Sequence, residues 1–210
     1  AEAGASDANH LNTSDLTAAD VVLNLTCYYD HDDQTADTTA LTVTGWTVDA
    51  TRYVNIYTPT GGTQSINSQR HAGVWDANKY IFAPTTENGF AHTADCGNAR
   101  IKGLQMYVAY SGGSNPRYGF RWYTVTAGSI LYVEECIIRG AFSSTGYGMA
   151  ICPESSTSTY YFRNNIILDF VNGTTACEGV SMRASSGTVY CENNTVVNCY
   201  TGIYASGKTN

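Results

Sequence analysis

The sequence predicts an all-β protein, a parallel β-helix with coils of about 29 residues behind an N-terminal capping segment, and three observations predict it. The first is a repeat: "YYFRNNIILDF" and "VYCENNTVVNC" keep aromatic, apolar, charged and Asn positions in the same order, and "LYVEECII" (131–138) extends the series. Val133, Phe162 and Cys191 then fall at steps of 29, with a looser copy, "RIKGLQM", beginning at 100. A second motif, Gly followed by an alternating run, recurs in each unit as "YGFRW", "YGMAI", "EGVSM" and "TGIYA", placing Gly119, Gly148, Gly179 and Gly202 in step. The second observation is alternation: Leu131/Val133, Tyr160/Phe162 and Val189/Cys191 fall on one side of a strand and Tyr132, Tyr161 and Tyr190 on the other. The third is composition, with only 14% charged residues, 20 Gly and 16 Tyr, which suits short strands and tight turns better than amphipathic helices.

Taken in chain order, residues 1–20 read as a cap, in which "TSDLTAAD" has a Ser/Asp start suited to one short helix. Residues 21–29, 40–46 and 52–58 read as strands, 59–72 as a loop rich in turn residues, and "KYIFAP" as a further strand. The chain thus divides into residues 1–97, a cap with the first irregular coils, and residues 98–210, the regular coils. Each unit of two or three strands, with Gly and Asn at its bends and no helical segment between, stacks on the last at about 4.8 Å. Asn tolerates left-handed backbone geometry, so Asn164/Asn193 and Asn165/Asn194 are expected to form ladders along the stack.

The net charge of -7 and the lack of a Lys/Arg cluster argue against a nucleic-acid partner. The longest apolar runs, "VVLNLTCYY" and "IILDFV", are strand-sized, so no membrane span is expected. Seven Cys (27, 96, 136, 152, 177, 191, 199) show no CxxC or Cys/His spacing suited to a metal; they read as buried thiols, and no metal or cofactor is expected.

Over residues 98–210 the coil pattern resembles the right-handed parallel β-helix proteins of the pectin-lyase-like superfold, which implies a right-handed solenoid. The preceding segment, with "TVTGWTVDATRYVNIYTP" and "SQRHAGVWD", resembles the leading part of uncharacterised β-helix proteins of phage particles and metagenomic surface proteins.

The superfold hosts many polysaccharide lyases and hydrolases, but the residues give that activity little support. Of the four polygalacturonase signatures, "RIK" stands at Arg100–Lys102 and "DD" at Asp32–Asp33, outside the coils, while NTD and GHG are missing. The coil acids are Glu134, Glu135, Glu154, Asp169, Glu178 and Glu192, with no evident pair poised for acid/base work and no dense Asp cluster for calcium. Lys102, Glu134, Arg163 and Glu192 occupy equivalent outward positions with alternating sign, a charge ladder that avoids like-charge neighbours across strands. The outward column Tyr132, Tyr161 and Tyr190 can support the sheet, line a protomer interface or offer a platform to sugar rings. All four His precede the regular coils; "YYDHDD" around His31 could hold a cation but reads as a polar turn, and Arg70, His71, Trp75 and Asp76 read as a loop closing onto the solenoid. The sequons at Asn12, Asn24, Asn172 and Asn193 matter only in a glycosylating secretory route, and Asn24 and Asn193 read as strand residues.

Asn210 falls where the next coil would begin, so a stackable coil is expected to meet another protomer or further chain. The resulting expectation is a non-catalytic structural protein: a self-associating building block of an extracellular fibre, cell surface or virion appendage. The alternative is a polysaccharide lyase, hydrolase or carbohydrate-binding module on the same fold, with a surface polysaccharide as partner.

Overall fold

The computed structural model describes residues 13–29, 35–62, 67–92, 97–111, 115–122, 125–143, 146–154, 157–172, 177–183 and 186–205. Within them the chain winds into a parallel β-solenoid of three sheets. The first sheet stacks β1 (Leu23–Thr26), β3 (Val54–Tyr57), β6 (Ala99–Lys102), β9 (Ile130–Glu134), β12 (Thr159–Arg163) and β15 (Thr188–Glu192). The second stacks β4 (Ile81–Phe82), β7 (Gln105–Tyr110), β10 (Ile137–Phe142), β13 (Ile166–Leu168) and β16 (Thr195–Val197). The third stacks β2 (Leu41–Val43), β5 (Asn88–His92), β8 (Arg117–Trp122), β11 (Gly148–Pro153), β14 (Glu178–Met182) and β17 (Thr201–Ala205). Each regular coil passes once through each sheet, and every strand pair among the described residues is parallel.

The repeat read from the sequence is the register of the first sheet. Val133 pairs with Phe162 and Phe162 with Cys191, while Ile101 pairs with Val133 across the longer step. Alternation does the rest: Leu131, Val133, Tyr160 and Phe162 are fully buried. At roughly 1.5–3 kcal/mol per large apolar side chain buried, this column is a main source of cohesion between coils. Aromatic rings fill the centre, with Trp122 stacked on Phe120 (centroids 6.1 Å apart) and Phe162 (6.0 Å).

The first half joins the same sheets, since β3 pairs with β6 and β5 with β8. The expected short helix is α1 (Leu16–Ala19), whose N-cap Asp15 accepts from the Ala18 N–H. Leu16 of that helix is completely buried in the core. The strands expected at 21–29, 40–46 and 52–58 shorten to β1, β2 and β3, and "KYIFAP" to the two residues of β4. Strand β5 lies outside the segments that the sequence marks as strands.

The Gly motif needs a correction. Gly148 pairs with Arg117, not Gly119; the pairs Tyr118↔Met149 and Phe120↔Ile151 put Ala150 beside Gly119, and Gly179 beside Ala150. Ala150 and Ile151 are both core residues, so the strand bends there and turns two successive positions inward. A Cβ at Gly119 would lie 2.5 Å from the Ala150 carbonyl oxygen and 2.9 Å from Met106 Sδ. The inside of that bend, and not the sequence interval, selects the small residue.

Candidate functional site

The outer face of the first sheet carries the tyrosines in register, Tyr132↔Tyr161↔Tyr190. Their rings stack at 4.8 Å, 11° and 7° from parallel. The rung spacing sets that distance, so each phenol lies face to face with the next. Arg100, one coil earlier in the same column, continues the pile with its guanidinium 4.2 Å from the Tyr53 ring and 4.8 Å from the Tyr132 ring. Arg163 lies 4.3 Å from the Tyr161 ring. The ring faces of Tyr132 and Tyr161 are thus turned toward neighbouring side chains within the stack, while Tyr190, on the edge strand, stacks on Tyr161 alone and is exposed.

Beside it runs the charge ladder, with Lys102↔Glu134, Glu134↔Arg163 and Arg163↔Glu192 all in register. Arg163 bridges its two carboxylate neighbours, 3.7 Å to Glu134 and 2.6 Å to Glu192. Lys102 departs from the alternating scheme: its Nζ lies 2.9 Å from Glu135 Oε1 instead of closing on Glu134. Glu135 is also held by Arg70 Nη1 at 2.7 Å. Arg70 comes from the loop expected to close onto the solenoid, and it also donates to the Thr58 carbonyl at 2.8 Å. The same loop clamps the buried Gln105 amide, which accepts from Asp76 N–H and donates to Asp76 C=O, and Trp75 meets Tyr107 edge-on.

The turn between first and second sheets separates the roles of the asparagines. Gly103, Glu135, Asn164 and Asn193 all adopt left-handed φ angles, of 76°, 54°, 56° and 54°. No side-chain bond joins Asn164 to Asn193 among the described residues. The ladder belongs to Asn165 and Asn194, which face inward. Asn165 Oδ1 accepts from Cys136 N–H, its Nδ2 donates to Val133 C=O and to Asn194 Oδ1, and Asn194 Nδ2 donates to Phe162 C=O. Asn193 is exposed in this turn and not in a strand.

All six acids of residues 98–210 sit within ion-pair distance of a base: Glu134 and Glu192 with Arg163, Glu135 with Arg70 and Lys102, Glu154 with Arg121, Asp169 with Arg139, and Glu178 with Arg183. Glu178 is buried beside Met149, with which it pairs and which clusters with Tyr118 and Cys152, and its Oε2 has no hydrogen-bond partner among the described residues. Burial raises the thiol pKa of Cys136 to about 12 and also raises that of Cys152, so both are thiols and not thiolates. No group of three His, Cys, Asp or Glu among the described residues is placed to hold a metal ion. His31, Asp32 and Asp33 lie outside the described residues, as do Asn12 and Cys96. Among the described residues no helix is long and apolar enough to cross a membrane.

A cleft of about 520 Å³ opens where chain passes from the third sheet to the first, between Trp46–Ala50, Gly97–Asn98 and Thr126–Ile130. It adjoins a hollow of about 50 Å³ that shares Ala50, Asn98 and Ile130 and reaches Tyr53, Arg100 and Tyr132, the start of the aromatic pile. Sequence reasoning missed both Arg100 and Trp46. Extending the tyrosine column back one coil would have found Arg100; Trp46 lies before the regular repeat and carries no comparable signal.

The class these features define is the parallel β-solenoid. Comparison with protein-family models, curated proteins and solved structures gives no match, so the assignment rests on sheet order and register.

Proposed function

We propose that the chain is a non-catalytic structural module, a β-helix building block of an extracellular fibre, cell surface or virion appendage that associates with copies of itself. The observation that carries this reading is the commitment of all six coil carboxylates to ion pairs. A glycoside hydrolase needs two carboxyl groups facing one substrate, roughly 5–10 Å apart and differently tuned. Here each acid instead neutralises a base on its own or an adjacent coil, which suits a rigid lateral surface. The continuous Tyr–Arg pile supports the same reading, since it stiffens one face across four coils. The sequence resemblance to the pectin-lyase-like superfold, and to β-helix proteins of phage and metagenomic surfaces, supports the right-handed winding and the external location.

Two measurements on the purified chain test it. Light scattering with electron microscopy is expected to show discrete oligomers or filaments, and incubation with acidic polysaccharides is expected to leave viscosity and ultraviolet absorbance unchanged. A strictly monomeric chain that lowers viscosity or generates unsaturated products would replace the structural reading with the enzymatic one.

A further inference from the structure

We propose that the cleft beside Trp46 binds a neutral glycan, seating one or two sugar rings; this goes beyond the structural role and does not depend on it. Its volume of about 520 Å³ falls in the range of roughly 300–1,000 Å³ typical of small-ligand sites. Small residues keep it open: a Cβ built on Gly128, where φ is +80°, meets nothing within 4 Å. Half-buried Trp46 supplies an apolar wall of the kind that takes the C–H face of a ring.

The rest of the lining mixes small apolar residues with neutral polar ones, and the formal charge of the main cleft's described residues is already paired. Among the described residues, Asp49 is the single acidic or basic side chain lining the main cleft. Its carboxylate accepts from the Thr51 N–H, the Thr51 hydroxyl and the Arg52 N–H, and lies 3.3 Å from Arg52 Nη1. In the adjoining hollow Arg100 is held between two phenol rings. The guanidinium keeps its charge there, but within the main cleft an ionic ligand would find no uncommitted counter-charge among the described residues, and desolvating it would go uncompensated. A neutral polyol finds Thr47, Asn98 and Thr126 along the walls; Asn98 Oδ1 already accepts from Ile130 N–H at 2.9 Å, which leaves the amide nitrogen as its donor.

The test titrates the full chain with cellotetraose, maltotetraose, mannotetraose and N-acetylchitotetraose, with tetragalacturonate as the charged comparison, by calorimetry and by tryptophan fluorescence. At least one neutral tetrasaccharide is expected to bind. Trp46→Ala and Ala127→Trp, the second filling the cleft from an exposed position, are each expected to weaken it by about tenfold or more. Trp46→Phe should recover most of the affinity, and Tyr161→Ala, outside the cleft, should change it by less than about twofold. If Trp46→Ala does not fold, Ala127→Trp decides alone. No neutral binding up to about 10 mM, tighter binding of tetragalacturonate, or an affinity unmoved by Ala127→Trp would each overturn the proposal.

Discussion

Arg70 Nη1 lies 2.7 Å from Glu135 Oε2 although 65 residues separate them in the chain. The contact ties an excursion between β3 and β4 to the turn between β9 and β10, and Lys102 shares the same carboxylate. Arg70 is largely buried while Glu135 is about a third exposed, so solvent weakens the Coulomb contribution and the bond to Thr58 carries much of the cost of losing Arg70. Arg70→Met is expected to lower stability by about 1–2 kcal/mol. A double-mutant cycle with Glu135→Asn, which keeps a residue tolerant of φ 54°, should give a coupling of at least about 0.5 kcal/mol by urea unfolding. Simple additivity would mean that the two residues do not act together.

Asn165 offers a sharper test of the turn. Its side chain serves Cys136 N–H and Val133 C=O, both enclosed by the coils, and its removal strands them. With roughly 1–3 kcal/mol for each unsatisfied buried group, Asn165→Ala should cost about 2–4 kcal/mol. Asn194→Ala, in a more open rung, should cost about half as much. Equal and small losses in a denaturant series would show that the ladder is dispensable.

The bend of the third sheet makes a prediction within one column. Gly119→Ala drives a methyl toward the Ala150 carbonyl and Met106, and is expected to cost about 1–3 kcal/mol. Gly202→Ala meets only Val196 Cγ1, at 3.7 Å, and should stay within about 0.5 kcal/mol of the parent. Thermal melts of the two variants that shift equally would refute the packing account.

His71 sets a pH dependence. Burial lowers its pKa below the ordinary 6.5, Arg70 lowers it further, and Glu135 opposes. Because the folded pKa is depressed, the unfolded chain binds the proton first as pH falls. The stability His71 contributes is whole above about pH 6.5 and declines below it, toward the folded pKa. His71→Gln should flatten that part of the stability profile, and an unchanged slope between pH 7 and pH 5 (roughly this window) would assign the dependence to other groups.

Much of the solenoid was legible because stacking repeats its own demands. Val133, Phe162 and Cys191 recur at one interval since a coil of fixed strand length brings each over the last, and Tyr132, Tyr161 and Tyr190 follow from the same alternation. Gly148 misled because it keeps the interval between motifs while turn lengths differ from coil to coil. The pairing obeys the space inside the bend, which Ala150 fills. Lys102 was placed in the correct column, but its partner is the residue after the expected one, since Glu135 in its left-handed turn also meets Arg70.

The sequence by itself determined that the chain coils, which residues line most of the dry interior, and which tyrosines and charges share an outer column. Those follow from a period of two within strands and about 29 between them. Cys191, expected inside, is exposed because its strand is the edge of the first sheet, and Cys27 and Cys199 are only half-buried. Tertiary structure alone decided that Arg100 enters the aromatic pile, that Glu135 joins two bases, and that Trp46 borders an open cleft. These depend on how turns of unequal length fold back across the coils, and adjacency made by a turn leaves no periodic mark in the chain.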